Sequence, residues 1–204
     1  FFFSSRRRHT RSNNNIGGST TAAGGTAWNY AGTFTNRFTG IAVNAASTAT
    51  TSIQGNLVAN FNILTSSGAT TTNGNFSGIW VSGGNANIGT TSGNTIGSGT
   101  GNGSITITGT TTGGIANIIS YSGVGNVDIR NNTIGSINLV GNTTSIGLGI
   151  NGILVSGGTP TIINNTIGST ATANSINSST VATGTQSLMG IQVTSAVTTG
   201  TTID

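Results

Sequence analysis

Apolar residues recur along this chain of 204 residues in short alternating runs, separated by glycine and small polar residues. Five runs open with a Gly-Ile pair: GIAV at Gly40, GIWV at Gly78, GIAN at Gly114, GILV at Gly152 and GIQV at Gly190. Their spacing is 38, 36, 38 and 38 residues. Within these runs, and in Ser104-Ile105-Thr106-Ile107-Thr108 and Asn126-Val127-Asp128-Ile129, branched apolar residues alternate with other residues. Alternation of this kind is the period of a β-strand and not of a helix. The intervening Gly and Asn/Ser/Thr clusters supply the positive φ angles that tight corners need. An all-β fold is predicted.

A second block, Ile-x-(Asn/Gly)-Asn-(Thr/Leu)-(Ile/Val), lies inside the repeats as IQGNLV from Ile53, IRNNTI from Ile129 and IINNTI from Ile162. GNTIG at Gly93 and NNNIG from Asn13 are partial copies. A period of about 36–38 residues points to a solenoid, propeller or array. If the repeats coil, equivalent residues of successive turns stack about 4.8 Å apart. One interior ladder is then Ile41, Ile79, Ile115, Ile153 and Ile191, with Val43, Val81, Val155 and Val193 beside it and Asn117 breaking the second series. The residue between the two series is Ala42, Trp80, Ala116, Leu154 and Gln192, a variability that suits an outward side. Asn56, Asn94, Asn132 and Asn165 are expected to stack their amides in a hydrogen-bonded ladder along the axis.

Composition narrows the chemistry. The chain has 34 glycines, one proline, no cysteine, lysine or glutamate, and 4% charged residues, against roughly a quarter in ordinary soluble domains. There is no disulfide framework and no thiolate metal site. The formal charge of +4 would suggest an anionic partner, but four of the six basic residues and the one histidine lie in the opening FFFSSRRRHTRS. Without residues 1–12 only Arg37 and Arg130 face Asp128 and Asp204, and the chain is neutral. Ser4 to Arg11 back-translate as TCA AGC AGA AGA CGG CAT ACG AGA, which resembles a common sequencing-library adapter, with Phe1–Phe3 as an upstream run of T. Residues 1–12 are therefore set apart as an adapter-derived, disordered arm. Residues 13–204 are expected to form the repeat domain, as a fragment open at both ends. No nucleic-acid partner and no membrane span are expected; no apolar run approaches the roughly 20 residues of a membrane helix.

The motifs G-I-x-V-S-G-G and I-x-x-N-N-T-I-G resemble the parallel β-helix repeats of bacterial secreted and cell-surface proteins, including large adhesin-like proteins. The resemblance covers residues 13–204 as a repeat pattern and implies a right-handed parallel β-helix (β-solenoid). It also implies a secreted or cell-surface location and a structural or adhesive role, with surface glycans or other surface components as partners. In that family a minimal turn is shorter than 38 residues. A stretch such as SINSSTVATGTQSLM before Gly190 is then an added loop or a second partial turn.

The same broad class contains polysaccharide lyases and glycoside hydrolases, so a noncatalytic part of such an enzyme is the alternative, as is a carbohydrate-binding solenoid. Glycoside hydrolysis needs two carboxyl groups flanking the bond. Here Asp204 aligns with Arg130 two repeats away and Asp128 with Thr202, with no third carboxylate or base. A calcium-dependent site would need several carboxylates among 6 to 8 oxygens. GLGING at Gly147 is a formal GxGxxG without a following helix, and GVGNVD at Gly123 lacks stacked acidic copies. No catalytic residue, metal or cofactor is expected. Trp80, projected outward, and the group Trp28, Tyr30, Phe34 and Phe38 are candidates for stacking on sugar rings. Because these aromatics do not repeat at one register, the favoured reading is that they cap the solenoid or pack under a loop. An ice-binding face would require Thr-x-Thr on every turn, which the alignment does not show.

Overall fold

The computed structural model describes residues 9–110, 113–141, 147–180, 186–194 and 200–204. They form 21 short strands that wind as successive coils, each contributing one strand to each of four parallel sheets. The first coil runs through β1 (His9–Ser12), β2 (Asn15–Ile16), β3 (Trp28–Tyr30) and β4 (Phe38–Val43). The second is β5 (Thr50–Gln54), β6 (Leu57–Val58), β7 (Phe61–Thr65) and β8 (Phe76–Val81). The third is β9 (Asn85–Ile88), β10 (Thr95–Gly97), β11 (Ile105–Gly109) and β12 (Ile115–Tyr121). The fourth is β13 (Asn126–Arg130), β14 (Thr133–Gly135), β15 (Ile137–Gly141) and β16 (Gly149–Val155). The fifth is β17 (Thr159–Ile163), β18 (Thr166–Ile167), β19 (Ile176–Thr180) and β20 (Leu188–Val193), and β21 (Thr202–Ile203) begins a sixth. Strands of equal rank in successive coils pair in register, which makes this a parallel β-solenoid with one repeat per coil.

The stretch before Gly190, read from sequence as a loop or a second partial turn, contains β19 on the third side of the same turn. A second difference lies at the start. Residues 9–12, set apart from the repeat by sequence, form β1 and pair with Thr51–Gln54 of β5. Parallel pairing uses backbone N–H and C=O groups that nearly every residue carries, so a polar segment can occupy the edge. Its Arg11 stands opposite Ile53, exposed at the end of an isoleucine column. The first eight residues of that arm lie outside the described residues.

The interior is one apolar cluster fed by all four sheets. The first sheet supplies Ile53, Ile88, Ile129 and Ile162; the second Val58, Ile96 and Ile134; the third Phe61, Ile105 and Ile137; the fourth Phe76, Ile79 and Ile153. Each fully buried branched side chain contributes about 1.5–3 kcal/mol of transfer free energy.

The fourth sheet corrects one predicted ladder. Ile41, Ile79, Ile153 and Ile191 do stack, but the third-coil member is Ile119, paired with both Ile79 and Ile153, while Ile115 lies opposite Gly149. Tyr121 stands between Val81 and Val155, and the outward residue of that coil is Ser120, not Ala116. Asn117 therefore breaks nothing. It pairs with Asn151, whose Nδ2 donates to its Oδ1 at 2.8 Å in the buried interior.

The glycine heading the second-coil run has a steric cause. A Cβ on Gly78 would stand 2.8 Å from Cγ1 and Cγ2 of the buried Ile96 and 3.0 Å from the Ile118 carbonyl oxygen. No side chain fits there without displacing the second-sheet column.

The predicted asparagine ladder is present and begins one coil earlier, at Asn14. Asn56 donates its backbone N–H to Asn94 Oδ1 at 3.0 Å and its Nδ2 to the same oxygen at 2.8 Å. Asn94 treats Asn132 identically at 3.0 and 2.8 Å, and Asn132 treats Asn165 so at 3.0 and 2.9 Å. Each amide also donates to a carbonyl of the preceding coil: Asn94 to Ile53, Asn132 to Ile88 and Asn165 to Ile129. The residue before four of the five ladder positions turns the corner in the left-handed region: Asn13 (φ 55°), Gly55 (61°), Asn131 (57°) and Asn164 (55°); Gly93, before Asn94, does not. Gly and Asn tolerate that conformation best, which explains the (Asn/Gly)-Asn pair in the repeat.

Candidate functional site

Strand alternation fixes which side chains the first sheet presents to solvent. In β5, β9, β13 and β17 the inward residues are Thr51 and Ile53, Ala86 and Ile88, Val127 and Ile129, and Pro160 and Ile162. The outward residues before and between them are Thr50 and Ser52, Asn85 and Asn87, Asn126 and Asp128, and Thr159 and Thr161. These pairs lie in register from coil to coil, so the face carries two columns of small polar side chains. Most of them, with Val127 and Gly200, line a trough of about 550 Å³. Asn85 Oδ1 accepts the Asn126 backbone N–H at 2.8 Å, which stitches two coils on this face. The side-chain amides of Asn87 and Asn126 have no partner among the described residues, and both reach solvent.

The trough holds one carboxylate. Asp128 Oδ1 accepts from Arg130 Nε at 2.5 Å, with 31% of the aspartate and 38% of the arginine side chain exposed. An ion pair this wet adds no more than about 1 kcal/mol, but it neutralises the face locally. Asp204 takes the column of Arg130 and Ile163, and Asp128 that of Thr161 and Thr202, as the block alignment predicts. The two carboxyl groups thus belong to different columns, two coils apart. Among the described residues no three of His, Cys, Asp and Glu converge.

The aromatic candidates fall in two places: Trp28 and Tyr30 lie exposed on β3, and Trp80 lies on the fourth sheet. Trp28 and Tyr30 occupy third-sheet core columns at the end of the stack, opposite Phe61 and Ile63. Trp28 meets Phe61 edge-on at 5.5 Å and donates Nε1 to the Gly18 carbonyl at 2.5 Å; Tyr30 lies edge-on to Phe38 at 6.4 Å. Phe38 stacks on Phe76 at 5.6 Å, and Phe34 projects furthest, 76% exposed against 45% for Trp28 and 40% for Tyr30. Trp80 faces outward on the fourth sheet between Ala42 and Ser120, as the alternation implies, but is half-buried. Its indole N–H and the neighbouring Ser120 hydroxyl are enclosed without hydrogen-bond partners among the described residues.

A second concavity lies where the second and third sheets meet. Even coils turn this corner tightly, through Asn60 (φ 65°) and Ser136 (φ 55°), whereas the third coil loops out over 98–104. The resulting notch has Leu57, Ala59 and Asn60 as its floor and Ala22, Ala23 and the 100–103 backbone as walls. The remaining motifs are absorbed by the fold: GLGING runs into β16, and GVGNVD is a corner followed by β13. Buried Tyr121 spans that corner, donating its hydroxyl to the Gly84 carbonyl at 2.6 Å and accepting the Gly125 N–H at 3.0 Å. Burial pushes its phenol pKa above 10.0, with the Gly125 bond pulling the other way. No helix among the described residues is long and apolar enough to cross a membrane.

No protein-family model, curated protein or solved structure matches the chain.

Proposed function

We propose that the chain is a structural or adhesive segment of a bacterial secreted or cell-surface protein, a stalk neutral over residues 13–204 and lengthened by adding coils, to which no reaction is assigned. The observation that carries this reading is the asparagine ladder, bonded without a gap from Asn14 to Asn165. It ties every coil to the next along the axis, so load applied between the ends is shared by bonds lying parallel to it. In a repeat architecture each unit is stabilised mainly by its neighbours, which is what a stalk of adjustable length needs.

Single-molecule pulling on the full chain tests the mechanical half. Peeling one repeat of about 36–38 residues releases a contour length on the order of 120–135 Å, and the extension trace should show steps of that size. A featureless low-force extension would sink the stalk reading. The location is tested by labelling intact, unpermeabilised source cells with an antibody against the repeats; signal only after lysis would oppose it.

A further inference from the structure

We propose that the first-sheet trough binds an uncharged polysaccharide laid along the solenoid axis. This rests on the adhesive half of the function proposed above and names its surface and ligand class. Four coils present the same outward pair in register: Thr50/Ser52, Asn85/Asn87, Asn126/Asp128 and Thr159/Thr161. Hydrogen-bonding side chains repeated at about 4.8 Å along one line suit a ligand that itself repeats, in preference to a single small molecule.

The side-chain chemistry selects the polymer. A carboxamide carries both donors and an acceptor, the complement of a sugar hydroxyl, and the amides of Asn87 and Asn126 are free to bond outward. Among the described residues no unpaired cation lines the trough: Arg130 is held by Asp128, Arg37 lies on another corner, bonded to Gly74, Thr71 and Asn73, and Arg11 stands at the edge of the sheet, outside the trough lining. A polyanion such as a nucleic acid or a uronic acid polymer therefore gains little here. An extended peptide would add to a sheet edge, and the trough lies on a face whose backbone groups are already paired.

The test is native affinity electrophoresis of the full chain through gels containing dextran, galactomannan, xyloglucan or mixed-linkage β-glucan, with polygalacturonate as the charged comparison. At least one neutral polymer should retard the chain. The double variant Asn87→Ala/Asn126→Ala should weaken that retardation about tenfold or more, as expected for two lost hydrogen bonds. Asn138→Ala/Asn177→Ala, which removes an amide pair on the outer face of the third sheet, should leave it unchanged. Should the first double variant not fold, Asn126→Arg fills the trough from an exposed position and should have the same effect.

Retardation by polygalacturonate alone, by no polymer, or equally for the wild type and the trough variants would overturn the proposal. Stepwise extension under force with no retardation would leave the stalk standing and remove the trough.

Discussion

Replacing Asn94 by alanine separates a hydrogen-bonded spine from a set of incidental contacts. Asn94 is fully buried and its side chain makes four bonds: it accepts from the Asn56 N–H and Nδ2, and donates to the Ile53 carbonyl and Asn132 Oδ1. After truncation the Ile53 carbonyl keeps the Gly89 N–H at 2.9 Å, Asn132 Oδ1 keeps the Asn94 backbone N–H, and Asn56 Nδ2 keeps the Arg11 carbonyl. The Asn56 backbone N–H keeps nothing, in a residue 1% exposed. An orphaned buried donor costs about 1–3 kcal/mol, and each lost bond between groups that remain satisfied about 0.5–1.5. The expected loss is therefore about 2.5–7.5 kcal/mol, a large part of a domain's usual margin.

The comparison is Asn14→Ala at the exposed end of the same ladder. It removes one bond to Asn56 Oδ1, which still accepts the Asn14 N–H at 3.0 Å, so about 0.5–1.5 kcal/mol is expected. Urea unfolding followed by circular dichroism reads the difference, and native-state hydrogen exchange at the Asn56 amide reads it locally. That amide should exchange on the order of 100-fold faster in Asn94→Ala and close to the wild-type rate in Asn14→Ala. Equal destabilisation by the two substitutions, or an unchanged Asn56 amide, would refute the claim that the ladder carries axial stability.

Gly78→Ala should destabilise by about 1–3 kcal/mol, because its Cβ would meet Ile96 at 2.8 Å, and Ile96→Val in the same chain should recover part of the loss; a chemical-denaturation double-mutant cycle checks the coupling. Tyr121→Phe leaves the buried Gly84 carbonyl and Gly125 N–H without their phenol partner, so a loss of about 1–3 kcal/mol is expected from thermal unfolding. The raised Tyr121 pKa has a second consequence. Its contribution is fully present below the unfolded value of 10.0 and is lost as pH rises through the higher folded value. Wild-type stability should thus fall above about pH 10, and Tyr121→Phe should flatten that limb in a pH series of melting curves.

The strands and the ladder were legible in sequence because both depend on residues with few substitutes. Ile-x-(Asn/Gly)-Asn encodes a left-handed corner residue followed by a stacked amide, and only Gly and Asn serve the first need well. The fourth-sheet register was less legible. Gly114-Ile115 imitates the heading pair, while the true third-coil residues are Ile118 and Ile119, four positions later. A usable signal was the following Ser-Gly: Val81, Tyr121 and Val155 each precede one. Reading back from it aligns Tyr121 with the valines, although the residue type changes.

Four of the third-sheet strands WNY, FNILT, ITITG, INLVG and INSST carry Asn in second place, a signal lost in so asparagine-rich a chain, and only Ile105–Thr108 on this side is read as a strand from sequence. Pairing with Phe61 and Ile63 places Trp28 and Tyr30 at the head of third-sheet columns, where they cap the end of the stack and stay 45% and 40% exposed. The trough was hidden differently. Asn, Ser and Thr occur everywhere in this chain, and two columns of them become a surface only once four strands are in register.

Sheets and corners answer to different constraints, and this limits how uniform the solenoid can be. Inside the sheets every insertion would break two isoleucine columns and the amide ladder, so length variation is confined to corners. At the junction of the second and third sheets the third and fifth coils loop out over 98–104 and 168–175, while the fourth turns through Ser136 alone. The two loops meet across that tight turn. Ser169 Oγ donates to the Gly99 carbonyl at 2.8 Å, and the Gly101 N–H donates to Thr172 Oγ1 at 3.0 Å. These bonds connect coils that are not neighbours, which a strictly nearest-neighbour account of repeat stability leaves out. The third to fifth coils should accordingly behave as a more cooperative unit than the first two, where the corner at Asn60 is tied only to adjacent coils, through the Gly25 carbonyl and Ser104 Oγ. Corner loops of this kind let a chain with nearly uniform sheets vary its stiffness along its length without altering the spacing of the residues it displays.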